Sequence, residues 1–431
     1  MFFGAPFFVG DNTKLVMNHL TPTRIWNEWL AKHFPHDPLP ASFSVDVWLR
    51  DLATVLRHNK DPNRSGQLEL TDKAGKDDEI FYQEDTGAIE STVAELVKAW
   101  HEQPRSSSFG VGPAAPMWPK TTGDIDYRSY KDAAGKSFVV LTPIKDQKNC
   151  GCCFIFSVLA QLEAYIALVT KTAATSLAVQ PVLSCYMAGQ QMHCNGGKVL
   201  NIIQTLAGTG YYTPQAYLKA SASNGSGVFD YAFNDTTTDT TCGTLLKNCD
   251  TTKTDPRCSA PENKLKCNSL VPCEVSNTCS CAYAYESCPS SSIAKYGCSP
   301  GVLVSYELVP FSPGPDMGMD TADFKTREKL YEQCLRQYGP FEVSIFASPA
   351  LKLYKSGIFV DLNIYPQTNH GVVLVGLYDS VIFDSYWILR NSWGDKWGEA
   401  GYFKLPRGSD AWGPQGPLCM LRQPPIVFKP A

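Results

Sequence analysis

The sequence predicts an α+β fold, with helices in the front and middle of the chain and strands toward its end, and three observations carry that reading. An apolar run from Cys153 to Thr170 keeps helical spacing through Ile155, Leu159, Leu162, Ile166 and Val169, with Glu163 its only charge. A helix that apolar must be buried. Strand-like runs follow downstream, at 341–346, 371–378, 386–391 and 401–405. No cysteine precedes Cys150, and all sixteen lie from there on, which separates a thiol-free front from a cysteine-rich remainder.

With 431 residues, 44% hydrophobic and 19% charged, the chain has a globular composition and exceeds one ordinary domain. A net charge of −4 offers no footprint for nucleic acid, and no apolar run approaches the ~20 residues of a membrane span.

In chain order, Thr21-Pro22 opens a helix carrying Ile25, Trp26, Trp29 and Leu30 before Lys32-His33. Trp48, Asp51, Val55 and Asn59 recur at steps of three and four, hence on one face of a second helix. An acidic run, Asp77, Asp78, Glu79, Glu84 and Asp85, follows, and its protonation is expected to change how the front segment is held. A third helix starts at Thr92, where Thr-x-x-Glu95 forms a capping box, and ends before Pro104. Residues 103–122, rich in Ser, Gly and Pro, read as an exposed linker and cleavage zone.

The chemistry lies in three places. Cys153 sits in Gln147-Lys-Asn-Cys150-Gly-Cys152-Cys153-Phe154, and far downstream come Asn369-His370-Gly371 and Asn391-Ser-Trp-Gly. Together they outline a cysteine nucleophile, its base and the residue that orients the base. After the front segment only His193 and His370 are available as a base, and His193 reads as a surface loop residue. The helix beginning at Cys153 would present its thiol at the positive end of the macrodipole, where a thiolate is favoured.

From about Asp124 onward the chain resembles the papain-family cysteine proteases of the cathepsin type. The strongest match is Asn391-Ser-Trp-Gly-Asp-Lys-Trp-Gly-Glu-Ala-Gly-Tyr402, joined by Cys194-Asn-Gly-Gly197, Gln180 to Cys185, Tyr354-Lys-Ser-Gly-Ile-Phe359, Asp126-Tyr-Arg128 and Thr142-Pro-Ile-Lys-Asp-Gln147. The resemblance implies a papain-like fold, a helical left half packed on a β-barrel right half and preceded by a helical prosegment. It makes Cys153 the nucleophile, His370 the base, Asn391 its orienting partner and Gln147 the side-chain donor of the oxyanion hole, with the Cys153 N–H as the other donor. Trp393 would shield the His370–Asn391 bond. Gly196 and Gly197 match the strip where substrate backbone pairs, and Val199, Ser344 and Gly371 match the main specificity pocket, whose small or aliphatic lining favours an apolar side chain. Cys150 would pair with Cys194.

The front segment resembles the family's inhibitory prosegment in part. Asp51 stands in the first Asn position of its helical signature, and Pro40 and Ser44 replace the earlier Glu and Arg. The expected organisation is a helical inhibitory prosegment and linker over 1–118 and a catalytic domain over 119–431. The 217 residues from Cys153 to His370 exceed the family spacing of roughly 130–150, so a cysteine-rich insertion is expected over 218–300. Nine of its residues are cysteines, and disulfides rather than a core must hold it, one of them to Cys185. A zinc site at Cys273, Cys279, Cys281 and Cys288 would have irregular spacings and no histidine.

The expected function is a cysteine endopeptidase made as an inactive precursor, acting through a thiolate–imidazolium pair and an acyl-enzyme, without metal or cofactor. Its expected partners are protein or peptide substrates and its own prosegment, with no nucleic acid and no membrane span, and it is expected to be a monomer. Two other readings remain. A catalytically dead papain-fold binding protein would use the insertion as its contact surface, but would have no reason to keep Cys153, His370, Asn391 and Gln147 together. A redox protein using Cys150-Gly-Cys152-Cys153 would leave His370 and Asn391 unexplained. The cysteine content points to a secretory route and a lysosome-like acidic compartment or secretion. The start, Met-Phe-Phe-Gly-Ala-Pro-Phe-Phe-Val, is nevertheless a poor signal peptide. Sequons at Asn63, Asn224 and Asn234 are compatible with that route.

Overall fold

The computed structural model describes residues 22–37, 39–40, 43–61, 66–103, 116–119, 122–177, 179, 182–183, 194, 196–209, 304–379 and 385–430. The three sequons, Cys185, His193, most of the 103–122 linker and the 218–300 insertion with its candidate zinc cysteines lie outside the described residues.

The front helices form where their patterns place them. Helices α1 (Pro22–His33) and α2 (Val45–Lys60) pack through Trp26, Trp29 and Trp48, with Trp26 edge-on to Trp48 at 4.9 Å. Asn59 at the end of α2 grips both backbone groups of Leu68, donating to its carbonyl at 2.7 Å and accepting from its N–H at 2.9 Å. That grip steadies β1 (Gly66–Leu68), which pairs antiparallel with β5 (Tyr354–Gly357) from the far end of the chain. Helix α3 (Asp78–Glu84) follows, then α4 (Val93–Glu102), whose Thr92 and Glu95 make both bonds of the capping box.

The middle of the chain supplies α5 (Cys153–Thr170) and α6 (Val199–Thr209). By length and composition α5 could cross a membrane, yet 83% of it is buried inside the protein, which accounts for its apolar sequence. Its one charge, Glu163, is met by Lys145, by the Thr142 hydroxyl at 2.6 Å and by the Leu177 N–H at 2.6 Å. Helix α7 (Phe324–Tyr338) precedes the sheet. There β6 (His370–Tyr378) is the organising strand, paired with β7 (Tyr386–Arg390) on one side. On its other side β4 (Phe341–Ile345) covers its first half and β2 (Ile125–Asp126) its second. Strand β8 (Tyr402–Pro406) closes on β7, and β3 (Val304–Leu308) pairs separately with β9 (Ile426–Pro430).

The front segment shares its core with the rest. Trp29, Trp48, Leu52 and Phe81 lie in one hydrophobic cluster with β6 and β7, and Ala88, Leu96 and Ala99 in another with α5 and α6. Between the front segment and the sheet lies a buried ion network that the acidic run gave no hint of. Asp85 is fully buried and paired with Lys73 and, at 2.6 Å, with Lys76; Glu84 reaches Lys76 at 2.9 Å. Lys352, also fully buried, donates to the Lys76 carbonyl at 2.9 Å and pairs with Asp51 at 3.1 Å.

These surroundings divide the carboxylates. Burial works to raise the Asp85 carboxyl, but the two lysine ammoniums outweigh it and hold Asp85 below its ordinary range. Burial dominates at Glu84 and Asp51 and raises both. A depressed carboxyl contributes stability that is lost only as pH falls through its lowered native value, below the ordinary carboxylate range, whereas raised carboxyls favour the folded arrangement as pH falls. Glu84 and Asp85, the buried members of the acidic run, therefore provide no release at mild acidity.

Replacing Lys352 with Met would strand Asp51 without its cation and should loosen the front segment by about 3–5 kcal/mol. The expected readout is faster labelling of Cys153 by a thiol reagent in the full-length chain at neutral pH. Unchanged labelling would show that Lys352 does not hold the front segment.

Candidate active site

Cys153 is the first residue of α5, so its Sγ sits where the helix leaves its first N–H groups unpaired. The Cys150–Cys194 disulfide, with Cα atoms 4.6 Å apart, and the Gly151 N–H bond to the Cys194 carbonyl at 3.0 Å fix the approach to that helix start. Cys150 is thus bonded outside the Cys150-Gly-Cys152-Cys153 run, which withdraws it from the redox reading.

Across from α5, the Gly371 N–H donates to Cys153 Sγ at 3.3 Å, which brings the first residues of β6 onto the thiol. His370 bonds through Nε2 to Asn391 Oδ1 at 2.8 Å. An amide oxygen can only accept, so Nε2 carries the proton and Nδ1 holds the lone pair. His370 Nδ1 is buried and has no hydrogen-bond partner among the described residues. Trp393 stacks on the imidazole at 4.7 Å, covering the His370–Asn391 bond. Gln147 is held at both ends of its amide, accepting from Ser392 Oγ at 2.6 Å and donating to the Cys150 carbonyl at 3.0 Å.

The front segment crosses this arrangement. The Gly87 and Ala88 N–H groups donate to the Asn369 carbonyl at 2.8 and 2.9 Å; Gly197 N–H donates to the Gly87 carbonyl at 2.8 Å, and Ile89 N–H to the Gly197 carbonyl at 2.9 Å. Gly87 has φ +136° and a Cβ there would stand 2.0 Å from the Gly151 carbonyl oxygen, so the crossing requires glycine. Trp393 Nε1 donates to the Asp85 carbonyl at 2.8 Å.

The remaining sequence-derived residues fall around this point. Gly196 has φ +99°, and a Cβ on Gly197 would strike the Phe154 ring at 2.3 Å, so Phe154 packs beneath the glycine strip. Val199 opens α6 and is buried; Ser344 faces Gly371 in the β4–β6 register. Ser344 Oγ donates to Glu342 Oε1 at 2.9 Å, and that oxygen lies 3.3 Å from where a Gly371 Cβ would be. Sequence reading missed Glu342. Its signal was the two-residue period of a strand, which puts 342 and 344 on one face. Burial raises the Glu342 carboxyl to about 8, and that carboxyl stands beside Ser344 and Gly371, two of the residues expected from sequence to line the specificity pocket.

Burial also sets the reacting pair. It pushes the Cys153 thiol up to about 12, against the N–H groups of Gly371 and Ala88 that favour a thiolate. It holds His370 down at about 4, although the Asn391 bond works the other way. The covered site therefore contains neutral thiol and neutral imidazole, not the ion pair expected from the helix dipole and imidazolium.

The family model for papain family cysteine proteases matches residues 124–294 and 316–422. The chain belongs to the papain family. Mouse procathepsin L is 26% identical over 275 residues, which are 63% of this chain and 58% of that protein. Cathepsin C of Schistosoma mansoni is 39% identical over 98 residues, covering 20% and 22% of the two chains, so the match spans less than two thirds of either relative. The fold is likewise that of papain-family precursors. The proform of the ragweed pollen cysteine protease Amb a 11 superposes with a TM-score of 0.59 at 16% identity, over 95% of this chain and 94% of that one. Procathepsin L2 from the Tenebrio molitor larval midgut gives 0.57 at 17% identity, over 94% and 99%.

In the full-length papain-family chain, alkylation of Cys153 should rise about tenfold per pH unit from mild acid through mild alkali without a plateau, because a raised thiol stays protonated throughout. A rate plateau near neutrality would instead reveal a thiolate already formed under the front segment.

Proposed function

We propose that the chain is the inactive precursor of a papain-like endopeptidase, with residues 1–118 as inhibitory prosegment and linker and 119–431 as the catalytic domain. The observation that carries this is the crossing of Gly87–Ile89 beside Cys153, with backbone bonds to Asn369 on one wall of the cleft and Gly197 on the other. A substrate needs the same walls, so the two exclude each other.

Once the cleft opens, water and charge return to the pair, and the Cys153 proton can pass to His370 Nδ1. The thiolate then attacks the peptide carbonyl carbon, forming the C–S bond. Its oxygen takes the electron pair and is met by the Cys153 N–H and the second N–H of the Gln147 amide. His370 returns its proton to the leaving nitrogen as the C–N bond breaks. Water, deprotonated by His370, then hydrolyses the thioester and restores the thiol. Asn391 keeps Nε2 protonated throughout, and Trp393 keeps water from that bond. The reading places the protein in an acidic, lysosome-like compartment or outside the cell.

Acid release is carried by His370. His370, held at about 4 in the closed form, gains its ordinary value near 6.5 when uncovered. A histidine with a depressed native value stabilises the closed form fully above its ordinary value and progressively less below it. Between about pH 6.5 and 4 that stabilisation falls by roughly 3 kcal/mol.

Cys153→Ala and His370→Ala should each lower peptide hydrolysis by roughly a thousandfold or more, and Asn391→Ala by about a hundredfold because it orients rather than reacts. Cys152→Ser should keep most activity. Loss in Cys152→Ser with retention in Cys153→Ala would overturn the choice of nucleophile, and a folded, accessible chain that cleaves no peptide would favour the binding-protein reading.

The full-length chain should be nearly inactive at neutral pH and gain activity as pH falls through the histidine range, with a new N-terminus within 103–122. A chain fully active at neutral pH with its front intact would remove the prosegment from the proposal.

A further inference from the structure

We propose that Arg422 and Thr368 form a carboxylate-binding subsite beside the glycine strip, so that the protease prefers peptides carrying an acidic side chain there; this rests on the proteolytic reading above. The argument begins with Glu90, two residues beyond Ala88 on the strand that crosses the thiol. Its Oε1 meets Arg422 Nε at 2.5 Å, and its Oε2 accepts from the Thr368 N–H at 3.4 Å. The neighbouring Gly87–Ile89 backbone is bonded to Gly197 and Asn369, the walls a bound peptide would use, so Glu90 occupies ground open to a substrate side chain.

The receptor is built on the catalytic side. Thr368 stands two residues before His370, is only 4% exposed, and its Oγ1 is buried with no hydrogen-bond partner among the described residues. An N–H and a guanidinium thus meet one carboxylate, and the same Thr368 brings a buried hydroxyl still without a partner among the described residues. The second arginine nearby, Arg327, is committed elsewhere, donating to the carbonyls of Ala322, Met319, Leu421 and Arg422. Arg422 and Glu90 are 27% and 20% exposed, dry enough for the pair to count for more than a surface ion pair. They line a groove of about 470 Å³ that also carries Asp320, so the attraction belongs to the Arg422–Thr368 end and not to the whole wall.

The test scans the acid-converted chain with peptide substrates that differ only by Glu or Gln at successive positions, and titrates the active thiol with an electrophilic probe. At one position on the side bound along Gly196–Gly197, kcat/KM should favour Glu over Gln by roughly tenfold. Arg422→Gln should bring that ratio close to one, and Arg422→Glu should invert the preference toward Lys. If Arg422→Glu does not fold, the unconverted chain supplies the charge swap: Glu90→Lys should speed thiol labelling, and Glu90→Lys with Arg422→Glu should slow it again. A chain that labels and cleaves but shows no Glu preference at any position, or one whose preference survives Arg422→Gln, overturns the inference alone. A chain that gains neither labelling nor cleavage on acid treatment overturns it together with the proposed activity.

Discussion

Because Cys153 begins α5 and His370 begins β6, the chemistry exists only where the buried helix end meets the first turn of the sheet, and the Gly371 N–H bond to Cys153 Sγ marks that contact. Each partner is fixed by its own half. The disulfide and the Gly151–Cys194 bond hold the helix start, while β4 and β7 clamp β6 from both sides. Gln147 and Ser392 then tie the two halves across the site, through both the backbone bond at 2.8 Å and the side-chain bond at 2.6 Å. A shift of either half would separate nucleophile from base before it disturbed any other chemistry.

The same burial that orders the site disarms it. Desolvation raises the thiol and lowers the imidazole, so the covering strand suppresses the ion pair as well as blocking the cleft. The protein also buries two lysines beside Asp85, a costly arrangement in which removal of one partner would leave an uncompensated buried charge. Asp85 holds both Lys73 and Lys76 above their ordinary range against the effect of burial, so each charge depends on the others remaining in place.

What could be read from sequence was local. The α5 run, the Thr92–Glu95 capping box and the four strand runs each announce themselves within a dozen residues, because helical and strand periodicity and caps are short-range properties. The nucleophile and its base were legible through a motif rather than through periodicity. What could not be read depends on partners far along the chain. Nothing in Asp85 tells that Lys73 and Lys76 will enclose it, since charged runs usually face water, and nothing in Glu342 tells that Ser344 and Gly371 will leave it a dry pocket wall. Helix α3 is short, and α7 buries one face, with Phe324, Tyr331 and Leu335, rather than nearly its whole surface as α5 does. The β1–β5 pair joins residues nearly three hundred positions apart, as in Gly66 with Gly357, which no window of sequence spans.

On the proposed reading, in which the front segment is cleaved away, that pair has a consequence. Strand β1 is the ladder partner of β5, and the two make a two-stranded sheet in which Tyr354–Gly357 is paired along one side. Departure of β1 turns it into a bare sheet edge with unsatisfied backbone donors and acceptors, a surface on which any extended segment, including one from another copy, could lie down. Lys355, half exposed on that edge, places a charge where such stacking would begin. Removal of the front segment would thus uncover an edge that already carries a charge.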